Sequence, residues 1–305
     1  MCDAGNGGLR REVEKYVNYY ERRENHMITQ RFYLKEYFPE LGQNGCNAYM
    51  DCYIPSAFEN AGEEFAKKKY PCMVVCPGGG YGFTSDREAE GIALQFVAEG
   101  YRAIVVRYSV VPHTFPQHLR EIAGAMELIY QNAEAWNIEV SRTAIIGFSA
   151  GAHLAAQYSN RYDCPEVREL FPESKPVQAS ILCYPVITDD PQYKHAGSIR
   201  HYLGYEPAKR NEKGCANECA VSEKTPPTFI WHTAEDAAVP VQNSLIYAKA
   251  LADYKVPFEL HIYPFGEHGL STVDEVAYVN ERPPHIVRVR KWLEDVKTWL
   301  KMMGV

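Results

Sequence analysis

The sequence has no long apolar run. Its most continuous stretches, Met73-Val74-Val75 and Ala103-Ile104-Val105-Val106, fall far short of the roughly 18 residues that a membrane span requires. The first 25 residues lack the apolar centre of a secretory leader and are instead dense in charge, with Arg10, Arg11, Glu12, Glu14, Lys15, Glu21, Arg22, Arg23 and Glu24. Basic charge is also in short supply. The 32 Lys and Arg stand against 39 Asp and Glu, a net charge of −7, which argues against nucleic acid and anionic membrane surfaces as partners.

Cysteine patterning is equally poor. The nine cysteines are an odd number, and no Cys-x-x-Cys has a matching second pair or histidine pair, so a zinc site is unsupported. Cys215 and Cys219 lack further ligands nearby in sequence, while Cys72, Cys76 and Cys183 sit inside apolar stretches where a thiol behaves as a small hydrophobe. There is no Asn-x-Ser/Thr acceptor. These absences together lead to the expectation of a soluble protein in a reducing, cytoplasmic compartment.

What the sequence does have is a 46% hydrophobic, 23% charged composition over 305 residues, enough for a sizeable core. No repeat or linker divides it. Val13, Tyr16, Val17 and Tyr20 recur at helical spacing, so residues 1–26 read as a helical N-terminal extension. From residue 27 onward strand-like and helix-like segments alternate. Strands are expected at 28–38, 47–54, 71–76, 101–108, 142–147, 177–184, 227–233 and 257–263, and helices at 86–99, 117–136, 149–160, 241–254 and 284–302. Such alternation implies an α/β architecture: a mostly parallel eight-stranded sheet with helices on both faces, the first two strands forming an antiparallel edge. Residues 185–226 separate two strands by about 40 residues, far more than an ordinary loop, and read as a cap-like insertion shaping a site.

Between the strand at 142–147 and the helix at 149–160 lies Gly147-Phe148-Ser149-Ala150-Gly151. This is the G-x-S-x-G pattern in the strand–turn–helix setting that a nucleophile elbow needs. The turn is so sharp that only small residues fit at the motif's flanking positions, Gly147 and Gly151, and it presents Oγ above the sheet at a helix N-terminus. A serine hydroxyl needs a histidine to take its proton and a carboxylate to orient that histidine, following in the order Ser, acid, His. Asp236 falls in the loop after the strand at 227–233, and His268 in the loop after the strand at 257–263. Glu235 is adjacent to Asp236, and Asp189 and Asp190 follow an earlier strand, so all three remain alternatives for the acid. His153, His232 and His261 read as structural.

A second glycine cluster, Cys76-Pro77-Gly78-Gly79-Gly80-Tyr81-Gly82, follows the strand at 71–76. Its backbone amides, those of Gly79 and Gly80 with that of Ala150, would make an oxyanion hole. The rival, a phosphate cradle, is weaker: Phe83 stands where a dinucleotide fingerprint needs its third glycine, and no Gly-Lys-Ser/Thr follows.

These motifs, with Arg107-Tyr108-Ser109-Val110, Pro226-Pro227-Thr228-Phe229, the His232-Thr233-x-x-Asp236-x-x-Val239-Pro240 stretch and Gly266-x-His268-Gly269-Leu270, resemble the α/β-hydrolase carbohydrate esterases. More narrowly they are similar to the acetyl xylan esterase branch of gut and rumen bacteria. The resemblance spans about residues 45–302. It departs from the esterase His-Gly-Gly-Gly form, because Pro77 takes the place of the histidine. It implies deacetylation of acetylated sugars or short oligosaccharides by Ser149, His268 and Asp236, with no metal or cofactor. Tyr81 and Tyr184 are expected to contact the sugar, with Phe83, Phe115 and Tyr193 as further candidates for stacking. Amide or formamide cleavage, as by aryl formamidases and dipeptidyl-type peptidases on the same fold, stays open, as does homo-oligomerisation.

Overall fold

The computed structural model describes residues 27–55, 64 and 67–305, so the expected helix at 13–20 lies outside the described residues. The chain forms an eight-stranded sheet in the order β1-β2-β4-β3-β5-β6-β7-β8. Its strands are β1 Ile28–Tyr33, β2 Tyr49–Ile54, β3 Tyr70–Cys76, β4 Arg102–Arg107, β5 Ile138–Phe148, β6 Ala179–Cys183, β7 Thr228–Thr233 and β8 Phe258–Tyr263. β1 and β2 are antiparallel at one edge, and β4 through β8 run parallel with β3. The order reverses beside β3, and open α/β sheets place their sites at such a switch point, beyond the C-terminal ends of the strands.

The central apolar runs, such as β3, are strands with both faces covered. In β3, Cys72, Val74 and Cys76 enter one core cluster while Met73 and Val75 enter the other. Among the described residues the helices of eight or more residues are α1 Glu90–Val97, α2 Gln117–Gln131, α3 Ala150–Arg161, α4 Ala196–Leu203, α5 Gln242–Asp253 and α6 Trp292–Met302. α1 and α6 cover one face with Ile92, Phe96, Trp292, Val296 and Trp299. On the opposite face α2, α3 and α5 pack Leu119, Ile122, Leu154, Tyr247 and Leu251. Among the described residues no helix is long and apolar enough to cross a membrane.

The strand expected at 142–147 begins already at Ile138 and the helix expected at 117–136 ends at Gln131, and three further segments differ more sharply from the sequence expectation. The strand expected at 28–38 stops at Tyr33, because the chain turns helical at Leu34–Tyr37 and Leu34 is anchored to the Ala48 carbonyl. The helix expected at 86–99 breaks at Ala89 (φ −117°, ψ −102°), leaving a 3-10 turn at Asp86–Glu88 before α1. The helix expected at 284–302 is likewise divided, into Pro284–Val287, a 3-10 turn at Arg288–Lys291, and α6. Within 185–226 the chain forms α4 and two 3-10 turns and lies against α3, where Gln157 donates to the Gly214 carbonyl and His153 bonds the Cys215 carbonyl.

Candidate active site

Ser149 joins β5 to α3 with φ 54° and ψ −118°, a conformation that costs an L-residue on the order of 1–3 kcal/mol and persists only when its surroundings enforce it. They do so here. The Ser149 amide donates to the Cys183 carbonyl at 3.0 Å, and its carbonyl accepts from Val186 at 3.2 Å and His153 at 3.1 Å. Gly151 is dictated by space, since a Cβ there would collide with the Cys76 and Pro77 carbonyls. The elbow is thereby pressed against the glycine loop after β3.

Ser149 Oγ lies 2.8 Å from His268 Nε2, and His268 Nδ1 lies 2.6 Å from Asp236 Oδ2. The carboxylate can only accept, so Nδ1 carries the proton and Nε2 is left to accept from the serine. Asp236 Oδ1 accepts from the Ala238 and Val239 amides at 3.0 and 2.8 Å, and Oδ2 also accepts from His232 Nε2 at 3.2 Å. Burial alone would push this carboxyl's pKa up. Hydrogen bonds from His232, His268 and Val239 outweigh it and hold the pKa well below the ordinary carboxylate range.

The rival acids are elsewhere. Glu235 is exposed and accepts from the Gly266 amide at 3.1 Å. Asp189 pairs with Arg210 at 2.7 Å, and Asp190 accepts from the Gln192 amide at 2.9 Å. His153 is fully buried behind the glycine loop, bonded to the Tyr81 hydroxyl at 2.7 Å. His232 is a structural histidine in β7, yet it is also a direct partner of Asp236.

A cavity of about 300 Å³ opens over the serine, lined by Gly79, Gly80, Phe83, Ser85, Arg87, Glu88, Ser149, His195, His268 and Gly269. Gly79 takes φ 125°, where a Cβ would collide with the Phe83 carbonyl. The Gly78 amide is already committed to Glu88 Oε2 at 2.8 Å. Among the described residues the Gly79 and Gly80 amides bond no acceptor, and Ala150 opens α3, where the first amides lack helical partners. Gly79 and Gly80 thus line the cavity together with Ser149, and Ala150 is the residue that follows the serine.

Two expected sugar contacts are corrected. Tyr81 is fully buried, with φ 59° turning its ring under the loop against Tyr108, His118 and Tyr202. Tyr184 is 2% exposed, donates to Glu88 Oε1 at 2.6 Å, and sets its ring edge-on to His268. Neither ring can stack on a sugar. Phe115 is buried against Tyr202, and Phe83, 62% exposed, is the one aromatic of the five that lines the cavity.

Residues 50–251 match the family described as BD-FAE. The chain belongs to the BD-FAE family of α/β-hydrolases. It is 36% identical over 231 residues to endo-1,4-beta-xylanase B of Butyrivibrio fibrisolvens, covering 73% of this chain and 36% of that protein. It is 29% identical over 283 residues to an acetylxylan esterase of Xylanibacter ruminicola, covering 90% of this chain and 52% of that protein. The chain thus spans about a third to a half of the length of these curated relatives. A solved acetyl ester-xyloside bifunctional hydrolase of Caldicellulosiruptor lactoaceticus superposes with a TM-score of 0.74 at 32% identity, covering 92% of this chain and 97% of that one.

In this BD-FAE chain the residue that sequence reasoning missed most clearly is Glu88, 3% exposed. It ties the glycine loop through Gly78 to Tyr184 after β6, and the Tyr184 hydroxyl in turn accepts from Ser271 beyond His268 at 3.2 Å. Helical spacing could not have shown it, because the break at Ala89 takes Glu88 out of the helix that carries Ile92 and Phe96. Glu88→Ala would leave a buried amide and a buried hydroxyl without their acceptor. Each such loss costs about 1–3 kcal/mol, so a destabilisation on the order of 2–6 kcal/mol is expected in a urea titration. An unchanged midpoint would show that the loops do not depend on this bridge.

Proposed function

We propose that the chain is a serine carboxylic-ester hydrolase that removes acetyl groups from acetylated sugars or short oligosaccharides. The observation that carries the reading is the continuous hydrogen-bonded line from Ser149 Oγ through His268 to Asp236, opening into a cavity lined by Gly79 and Gly80, whose amides bond no acceptor among the described residues. His268 takes the proton of Ser149 as Oγ bonds to the acetyl carbonyl carbon, and the oxyanion is held by the three amides. His268 then passes that proton to the departing sugar oxygen as the C–O bond breaks, leaving acetyl-Ser149. Water, deprotonated by His268, attacks the acetyl carbon; His268 returns the proton to Oγ and acetate departs. Asp236 keeps the imidazole in the required tautomer and stabilises the imidazolium.

Two observations support the sugar acetate in particular. The cavity is at the small end of ligand sites, which suits a short acyl group and one sugar unit better than a long chain. The names of the Xylanibacter relative and the Caldicellulosiruptor structure both join acetyl esters to xylan or xyloside. A panel of acetylated xylo- and manno-oligosaccharides, longer acyl esters, N-formylkynurenine and dipeptide amides tests it. Acetate release from the oligosaccharides should exceed turnover of every other substrate. Preferential cleavage of the formamide or the amides would overturn the ester reading.

A further inference from the structure

The insertion supplies one wall of the cavity through His195, and the state of that imidazole is fixed by its own helix. His195 is the N-cap of α4, and its Nδ1 accepts from the Ser198 amide at 3.2 Å and lies 2.8 Å from Ser198 Oγ. A backbone N–H can only donate, so Nδ1 is the unprotonated nitrogen and the ring proton sits on Nε2. Burial, reinforced by nearby His268, lowers the pKa and favours this neutral form. Among the described residues Nε2 has no partner, and His195 lines the same cavity as Ser149 and His268.

We infer that His195 Nε2–H is a specificity-determining donor that bonds a hydroxyl oxygen on the alcohol side of the substrate. The inference rests on the ester-hydrolase reading above. The carbonyl oxygen already has three amide donors, and the leaving oxygen receives its proton from His268. An additional neutral donor in this cavity is therefore available to an oxygen that takes no part in bond breaking, and a sugar carries such hydroxyls next to its ester. The mount is rigid, as a discriminating donor requires. At the other end of α4, His201 Nδ1 bonds the Gly80 carbonyl at 2.8 Å, and the Tyr202 carbonyl accepts from the Phe115 amide at 2.7 Å. The helix that carries His195 is thus tied to the same loop that supplies the oxyanion amides. A site built to bond a hydroxyl discriminates against substrates that lack it, because its own donor is then left unpaired.

Two substitutions separate this role from helix capping. Asparagine is a good N-cap whose oxygen replaces Nδ1 but leaves the Nε2 position empty, whereas glutamine places an N–H near Nε2 and forfeits the cap. In full-length protein, kcat/KM is measured on mono-acetylated xylobiose and on 4-nitrophenyl acetate, whose alcohol part has no hydroxyl neighbouring the ester. His195→Asn should lower the sugar-ester value about tenfold more than the aryl-ester value with an unchanged melting temperature, the scale of one hydrogen bond. His195→Gln should keep most of the sugar preference while melting lower. Equal losses on the two esters, or loss of the preference in His195→Gln as complete as in His195→Asn, would overturn the assignment. If the wild-type chain hydrolyses neither ester, the ester-hydrolase reading fails and this inference falls with it, a result distinct from either variant outcome.

Discussion

Replacing Ser149 with alanine is expected to reduce turnover of an activated acetate ester by a factor on the order of 10⁶, with the melting temperature held within a few degrees. The size follows from what is removed. The covalent route disappears, whereas His268, Asp236 and the amides of Gly79, Gly80 and Ala150 remain, so only the background rate that oriented donors give to attack by water survives. The stability expectation has its own basis. Among the described residues Ser149 Oγ bonds only His268, and the strained turn is held by backbone hydrogen bonds to Cys183, Val186 and His153 that alanine preserves. A folded Ser149→Ala protein retaining more than about 1% of wild-type activity would dismiss Ser149 as the nucleophile. Labelling by a fluorophosphonate provides an independent readout, with modification expected on Ser149 in the wild type and lost in the variant.

The parts of this molecule that could be read from sequence are those where chemistry and topology leave few choices. The elbow is visible because crowding demands glycine at Gly147 and Gly151, two positions to either side of Ser149, and Asp236 and His268 are visible because the order of the strands orders the loops. The antiparallel edge follows from two strands joined without a crossover helix. What stayed hidden depends on side-chain direction at irregular backbone. Tyr81 and Tyr184 look like exposed aromatics beside a site, but both have positive φ, 59° and 36°, and their rings turn inward. Glu88 looks like a solvated charge at a helix start, yet the break at Ala89 sets it under the glycine loop with two donors aimed at it. His195 lies in a polar stretch where periodicity says nothing, and only the capping geometry of α4 shows which nitrogen is free. His232 was read as structural, and its bond to Asp236 shows that this residue also helps to hold the acid.

For Asp236→Asn the expected loss of kcat is about 10³- to 10⁴-fold with little loss of stability, and the hydrogen bonds around the carboxylate explain both parts. Oδ1 accepts two backbone amides, from Ala238 and Val239, which cannot reverse their polarity. An asparagine at this position must keep its carbonyl oxygen there, so its NH₂ takes the place of Oδ2 and faces His268 Nδ1 and His232 Nε2. One N–H then donates to His268 Nδ1, which forces the ring proton onto Nε2, and a protonated Nε2 cannot accept from Ser149. His232 Nε2–H loses the acid as an acceptor but keeps its bond to the Val239 carbonyl at 3.0 Å, which is why the protein should remain folded, while His268 is locked in the wrong tautomer. The opposite amide orientation restores the tautomer only by setting NH₂ against two N–H donors. Losing those two bonds costs about 1–3 kcal/mol each, against the one bond lost in the first orientation, so the active orientation is the minor one. Asp190→Asn is the control: Asp190 bonds the Gln192 amide and does not reach His268, so turnover should stay within about twofold of wild type. A larger loss in Asp190→Asn than in Asp236→Asn would move the acid to the segment after β6 and break the geometric chain from Ser149 to Asp236.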